Sequence, residues 1–149
     1  MNTKSHQVAQ RSEELFASGL FCAECVLQSI AESRGIKSDL IPKIATGLCS
    51  GLSRTGGICG AASGGVLAIN LVCGRNDAGQ SVENNYLLVR KFLSAFEAKF
   101  GSSNCENLIG CRLDTPEGQH HFKANKLSDK CREFTREAAR MASEVLENA

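Results

Sequence analysis

Eight cysteines stand in a chain of 149 residues, and they are its densest supply of chemistry. Four of them, Cys22, Cys59, Cys105 and Cys131, share a feature: each falls in the first turn of a helix that the sequence predicts. Unpaired N–H groups and the helix dipole favour a thiolate over a thiol there. Four converging thiolates suit zinc or an iron–sulfur cluster, and two suit cycling between dithiol and disulfide. Cys22-Ala23-Glu24-Cys25 is a C-x-x-C, but no strand precedes it, so the thioredoxin setting is missing. Val26 stands where a c-type haem motif needs histidine, and no second C-x-x-C completes a zinc-finger pair. Cys73 reads as packing, while Cys49, beside the glycine-rich stretch, and Cys111, near Cys105, stay open, as does Cys25.

The stretch Gly56-Gly57-Ile58-Cys59-Gly60-Ala61-Ala62-Ser63-Gly64-Gly65 organises the rest. If it is helical from about Cys59, Gly60 and Gly64 form a smooth strip on one face. Each helical glycine costs roughly 1 kcal/mol relative to alanine, so repeating it implies a close approach. Another backbone or a bulky inorganic group would fit, which makes Gly60 and Gly64 candidate cofactor-binding positions. A small buried cysteine at a tight helix crossing reads the same residues equally well.

Composition bounds the alternatives. Seventeen basic and sixteen acidic residues give no electrostatic case for nucleic acid or an anionic membrane. The uncharged run from Thr55 to Gly74 reaches spanning length, but its Gly, Ser, Thr and Asn make it a buried central helix with its entry loop. Met1 to Gln10 is polar and lacks a signal-peptide core, so a cytoplasmic location is expected. In a reducing compartment, cysteines serve more often as ligands or redox groups than as structural bridges. The glycine stretch has neither the Lys-Ser/Thr of a P-loop nor a G-x-G-x-x-G order, so no nucleotide is expected. His120-His121 reads as solvated surface, and no paired carboxylates or Ser/His/Asp set supports hydrolysis.

The elements that must position the cysteines are helices. Apolar residues at three and four mark Ser5 to Ser18, Cys22 to Ser33, and a third helix capped by Ser38 or Asp39 that runs to about Cys49, with Pro42 in its first turn. Leu52 to Gly57 should be a loop into the glycine-rich helix, which continues to Gly74. Tyr86, Val89, Phe92, Leu93, Phe96 and Phe100 set an aromatic core stripe on a helix from Ser81 to Lys99, closed by Gly101. Ser103-Asn104-Cys105-Glu106 has capping-box form and opens a short helix to Ile109. Gly110 to His121 should be loop, and Ser128 should cap the last helix. The expected fold is all-α, a single domain over residues 1–149 and a compact helical bundle around the central glycine-rich helix. A homodimer is the assembly to which the broad apolar surface of the central helices points.

These residues resemble the C_GCAxxG_C_C family of putative redox-active proteins. The resemblance rests on Phe21-Cys22-Ala23, on Gly57-Ile58-Cys59-Gly60-Ala61-Ala62-Ser63-Gly64, on Cys105 with Leu108-Ile109-Gly110-Cys111-Arg112-Leu113, and on Cys131. It spans about residues 8 to 147. It implies redox activity carried by four cysteines, at Cys22, Cys59, Cys105 and Cys131, and supplies little mechanism. A similar domain occurs in a multihaem cytochrome, but haem-attachment motifs are absent from this chain.

Two functions follow as expectations. In the first, Cys22, Cys59, Cys105 and Cys131 either ligate an iron–sulfur or other metal centre or cycle between dithiol and disulfide, with Cys59 and Cys22 as the redox thiols and Cys59 as the low-pKa thiolate that attacks. An unknown redox partner is then implied. In the second, the four thiolates hold zinc in a structural or metal-storage module in which no electrons move.

Overall fold

Apolar spacing at three and four does form helices throughout the chain. The computed structural model describes residues 3–149. Along it run α1 (Thr3–Ala17), α2 (Cys22–Ser33), a 3-10 helix (Lys43–Leu48), α3 (Cys49–Arg54), α4 (Gly60–Cys73), α5 (Glu83–Phe100), α6 (Cys105–Ile109), α7 (Pro116–Ala124) and α8 (Ser128–Glu147). Among the described residues there is no strand, only one isolated antiparallel bridge between Ile58 and Asn104. The all-α expectation is met, and no helix is long and apolar enough to cross a membrane.

Helices α1, α2, α4, α5 and α8 pack on one another, and α4 meets α2, α5 and α8 together. Its glycines make those approaches close. A Cβ on Gly64 would stand 2.7 Å from Cα of Ala23, and one on Gly65 would stand 2.1 Å from the Phe92 ring. Phe92 and Phe96 are fully buried. Phe96, Phe100 and Phe134 continue the stripe, with Phe100 and Phe134 edge to face at 4.8 Å.

Three expectations fail locally. No α-helix starts at Ser38 or Asp39. Pro42 lacks an N–H and restricts Ile41, so regular structure begins only at Lys43, as a 3-10 helix. Gly110 to His121 is not all loop. Thr115 Oγ1 accepts from the Gly118 N–H at 3.0 Å and Pro116 follows at the first position, which starts α7. The third failure is one of caps. Asn104, rather than Ser103, caps α6 by accepting from the Asn107 N–H, and Ser128 lies inside α8 behind Leu127.

Glu137 ties α8 to its surroundings. Its carboxylate is buried and meets Lys99 at 3.1 Å, Arg140 at 3.0 Å and Arg136 at 3.3 Å. Burial alone would push its pKa up. Hydrogen bonds from Arg140 and Lys99, with the Arg140 and Arg136 charges, outweigh burial and hold it below the ordinary value. A depressed folded pKa contributes stability above the unfolded value, about 4.3, that is lost as pH falls through the folded one. The urea midpoint should therefore drop steeply below about pH 4. Glu137→Gln should cost roughly 1–3 kcal/mol at pH 7, because the three cations are partly exposed, and should flatten the acid limb.

Candidate functional site

Cys22 is the first residue of α2, and its position is set by Glu24. One Glu24 oxygen accepts the Phe21 N–H at 3.0 Å, and the other accepts the Thr46 hydroxyl at 2.9 Å. The same carboxylate thus caps α2 and ties it to the 3-10 helix that leads to Cys49.

Cys59 and Cys105 are set side by side by backbone pairing. The Cys59 N–H donates to Ser103 at 2.7 Å and the Cys105 N–H donates to Gly57 at 2.8 Å. Asn104 Nδ2 adds a bond to the Gly56 carbonyl at 2.9 Å. Cys59 is the N-cap of α4 rather than a residue inside its first turn, and Cys105 opens α6. Cys131 lies in the first turn of α8, behind the Leu127 carbonyl that accepts its N–H.

These four cysteines line one cavity of about 330 Å³. Phe16, Phe21, Leu108, Ile109, Phe122 and Phe134 supply much of its apolar wall. Arg54 and Lys123 are the charged side chains in the lining, and both are exposed. Two glycines leave the room. A Cβ on Gly60 would lie 2.3 Å from the Cys22 sulfur, and one on Gly51 would lie 2.5 Å from the Cys105 Cβ. Gly60 lines the cavity, whereas Gly64 lies deeper in the α2–α4 contact.

One wall is α3, and its backbone is unusual. Ser50, Gly51, Leu52, Ser53 and Arg54 all have positive φ, from 58° to 72°. This is a turn of left-handed helix, in which each non-glycine residue costs roughly 1–2 kcal/mol. Thr55 Oγ1 bonds the Gly51 carbonyl at 3.1 Å, the Gly57 N–H bonds it at 2.9 Å, and Ser53 Oγ bonds Gly47 at 2.9 Å. Ser50→Gly removes one strained Cβ and should raise stability by up to about 1 kcal/mol, read as an upward shift in the thermal midpoint.

Burial, not the helix dipole, sets the acidity of Cys59, Cys105 and Cys131. Cys59 is pushed up to about 11 by burial, although the Ala61 and Ala62 N–H groups pull the other way without forming a full cap bond. Cys131 is pushed to about 12 by burial, then by the neighbouring Cys59, Cys105 and Cys111. Burial also raises Cys105 and pushes Cys25 to about 12. The thiolate-favouring position expected for Cys59, Cys105 and Cys131 is therefore overridden by their burial. A raised folded pKa gives stability that is complete below the unfolded thiol value, about 8.5, and fades as pH rises through the folded values. Urea midpoints under reductant should fall between about pH 8.5 and 12.

The other cysteines divide. Cys49 is buried beside Cys22, and Cys25 lies behind it with no exposed surface. Cys111 stands near Cys105 and Cys131 without lining the cavity. Cys73 closes α4, where it bonds the Ile69 carbonyl at 3.2 Å, away from the cavity. His120 and His121 are exposed on α7 and do not line it. Among the described residues, no three Cys, His, Asp or Glu side chains stand close enough to share one metal ion. The thiol donors suit zinc by type, but their spacing does not fit a single-ion site. Neither Gly51 nor Arg54 belongs to a motif that would mark it in the sequence.

No curated protein and no solved structure matches the chain. The model of the family described as "Putative redox-active protein (C_GCAxxG_C_C)" matches residues 20–145, which include the cavity cysteines and the glycine-rich start of α4. The chain therefore belongs to the C_GCAxxG_C_C family of putative redox-active proteins.

Proposed function

We propose that this protein moves electrons by thiol–disulfide exchange in the cavity, in a reducing, cytoplasmic setting. One observation carries the reading: four cysteines at the starts of four separate helices open onto a single apolar cavity. All eight thiols are free; of the four that line the cavity Cys22 and Cys131 keep partial exposure, and burial pushes Cys131 up to about 12. Cys22 is thus the entry nucleophile. Cys59, Cys105 and Cys131, held protonated by burial, become reactive only when a substrate or a neighbouring sulfur reaches them. The apolar wall admits a small disulfide and excludes water, and Arg54 and Lys123 at the lining favour a partner with negative charge.

A second reading has its own support. Four thiols around a cavity, with Gly60 leaving space beside Cys22, suit an iron–sulfur cluster by donor type. Such a cluster would supply one-electron chemistry, and the chain's part would be to hold four deprotonated sulfurs around it.

The test is metal and acid-labile sulfide analysis on protein purified without oxygen, followed by a thiol count before and after a small disulfide. Loss of two thiols per disulfide consumed, restored by dithiothreitol in metal-free protein, is the expected result. Iron, sulfide and a visible band that bleaches on reduction would replace it with the cluster reading. Thiols that stay unchanged in metal-free protein would overturn both. Zinc alone, with unfolding by chelator, would return the structural module.

A further inference from the structure

We infer that Cys49, outside the family's four named cysteines, is the resolving thiol for Cys22, so that the two form the working dithiol of the cavity. The inference rests on the exchange reading above and names the residue that completes it.

The geometry comes from one bare position. A Cβ on Gly60 would lie 2.3 Å from the Cys22 sulfur, 3.1 Å from Cys49 Cα and 3.1 Å from the Leu48 carbonyl oxygen. The Cys22 sulfur and the Cys49 backbone therefore share one small space, kept open by the missing side chain. The Cys49 thiol stands within hydrogen-bond reach of Cys22, and it also faces the Ala45 carbonyl at 3.7 Å. The hydrogen bond with Cys22 and burial hold the Cys49 thiol protonated, against a smaller pull from the Glu24 and Ala23 N–H groups at the start of α2, so Cys49 carries a proton to give.

Access divides the labour. Cys22 lines the cavity and is partly exposed, whereas Cys49 is 4% exposed and lies behind it. An incoming disulfide meets Cys22 first. Cys49 also sits where the 3-10 helix ends and the left-handed turn begins. Its sulfur can approach Cys22 there without bending a long helix.

The steps balance. The Cys22 thiolate attacks one sulfur of a small disulfide, R–S–S–R, forming a Cys22–S–S–R bond and releasing RS⁻. Cys49 gives its proton to that departing thiolate. Its sulfur then attacks the Cys22 sulfur and expels the second RS⁻, which takes from solvent the proton that Cys22 released on ionising. Two protein thiols are oxidised to one disulfide, and R–S–S–R is reduced by two electrons to two thiols.

The probe is 2-hydroxyethyl disulfide, added to the reduced full chain, with acid quench, alkylation and mass mapping. Trypsin with a glutamyl endopeptidase separates Cys22, Cys25 and Cys49, because Glu24 and Lys43 lie between them. The expected product joins the Cys22 peptide to the peptide of residues 44–54. In Cys49→Ser, the hydroxyethyl adduct on Cys22 should accumulate at least tenfold over the parent, with unchanged helicity by circular dichroism. A Cys22 bridge to Cys25 or Cys59 in the parent overturns the assignment while keeping exchange. So does a Cys49→Ser protein that clears the adduct at the parent's rate. If no thiol reacts at all, the exchange reading fails, and the assignment with it. Mapping of the parent decides the pairing even where the variant does not fold.

Discussion

Gly64→Ala is expected to lower stability by about 3 kcal/mol, the upper end of what overpacking costs in a close-packed core. The new Cβ would stand 2.7 Å from Ala23 Cα and 2.9 Å from its carbonyl oxygen, both backbone atoms of α2. Neither can rotate away, so α2 and α4 must part. Cys22 and Ala23 are adjacent, so the cavity wall would shift as well. Gly65→Ala offers the contrast. Its clash is with the Phe92 ring, whose nearest atom would be 2.1 Å away. Phe92→Leu should therefore recover part of the loss at Gly65→Ala and none of the loss at Gly64→Ala. Urea unfolding of the parent, the three single variants and the two double variants measures this, with recovery read as the coupling between the paired changes. Equal recovery at both sites would mean that the two glycines do not face different neighbours.

Those glycines show which part of the architecture was legible in the sequence. Repeated glycine in an otherwise good helix announces a close approach, and the period of Phe92, Phe96 and Phe100 announces a core stripe. That Gly65 and Phe92 meet, and that Gly51 makes room for Cys105, could not be read, because both pairs are distant in sequence. The left-handed turn was hidden for a different reason. Ser50, Leu52, Ser53 and Arg54 carry no preference for positive φ, and the surrounding bonds hold them there. Pro116 and Gly118 read as loop residues, whereas Thr115 caps and Pro116 opens a helix there.

The cysteines divide along the same line. Their placement at helix starts followed from local signals, since Gly, Asn and helix periodicity lie close by in the chain. Their acidity did not follow, because it depends on what covers each sulfur. A helix terminus offers at most about 1–2 kcal/mol to a nearby charge. Burial at Cys59 and Cys131 outweighs that, because the cavity around them is walled by aromatic and aliphatic side chains. Nucleophilicity is thus decided by what covers each sulfur, which no motif records.

On the exchange reading proposed above, Cys22 rather than Cys59 is the entry thiol, and the two variants should differ strongly. At pH 8 a thiol with its pKa at about 11 is thiolate in roughly one molecule in a thousand. Cys59 is also only 6% exposed. Cys22→Ser is expected to slow the first exchange between the cavity and 2-hydroxyethyl disulfide by about a hundredfold or more, since a serine hydroxyl does not ionise near neutral pH. Cys59→Ser should leave that first step within a few-fold of the parent. The reading is site-resolved: adducts are quantified at each cysteine by mass spectrometry after acid quench, so slow labelling of Cys73 or Cys111 does not intrude. The pH dependence provides a second check. Any reaction at Cys59 should climb tenfold per pH unit up to about pH 11, because its thiolate fraction does. If Cys59→Ser removed the first step and Cys22→Ser did not, Cys59 would be the entry thiol. The cavity would then have to open to expose it.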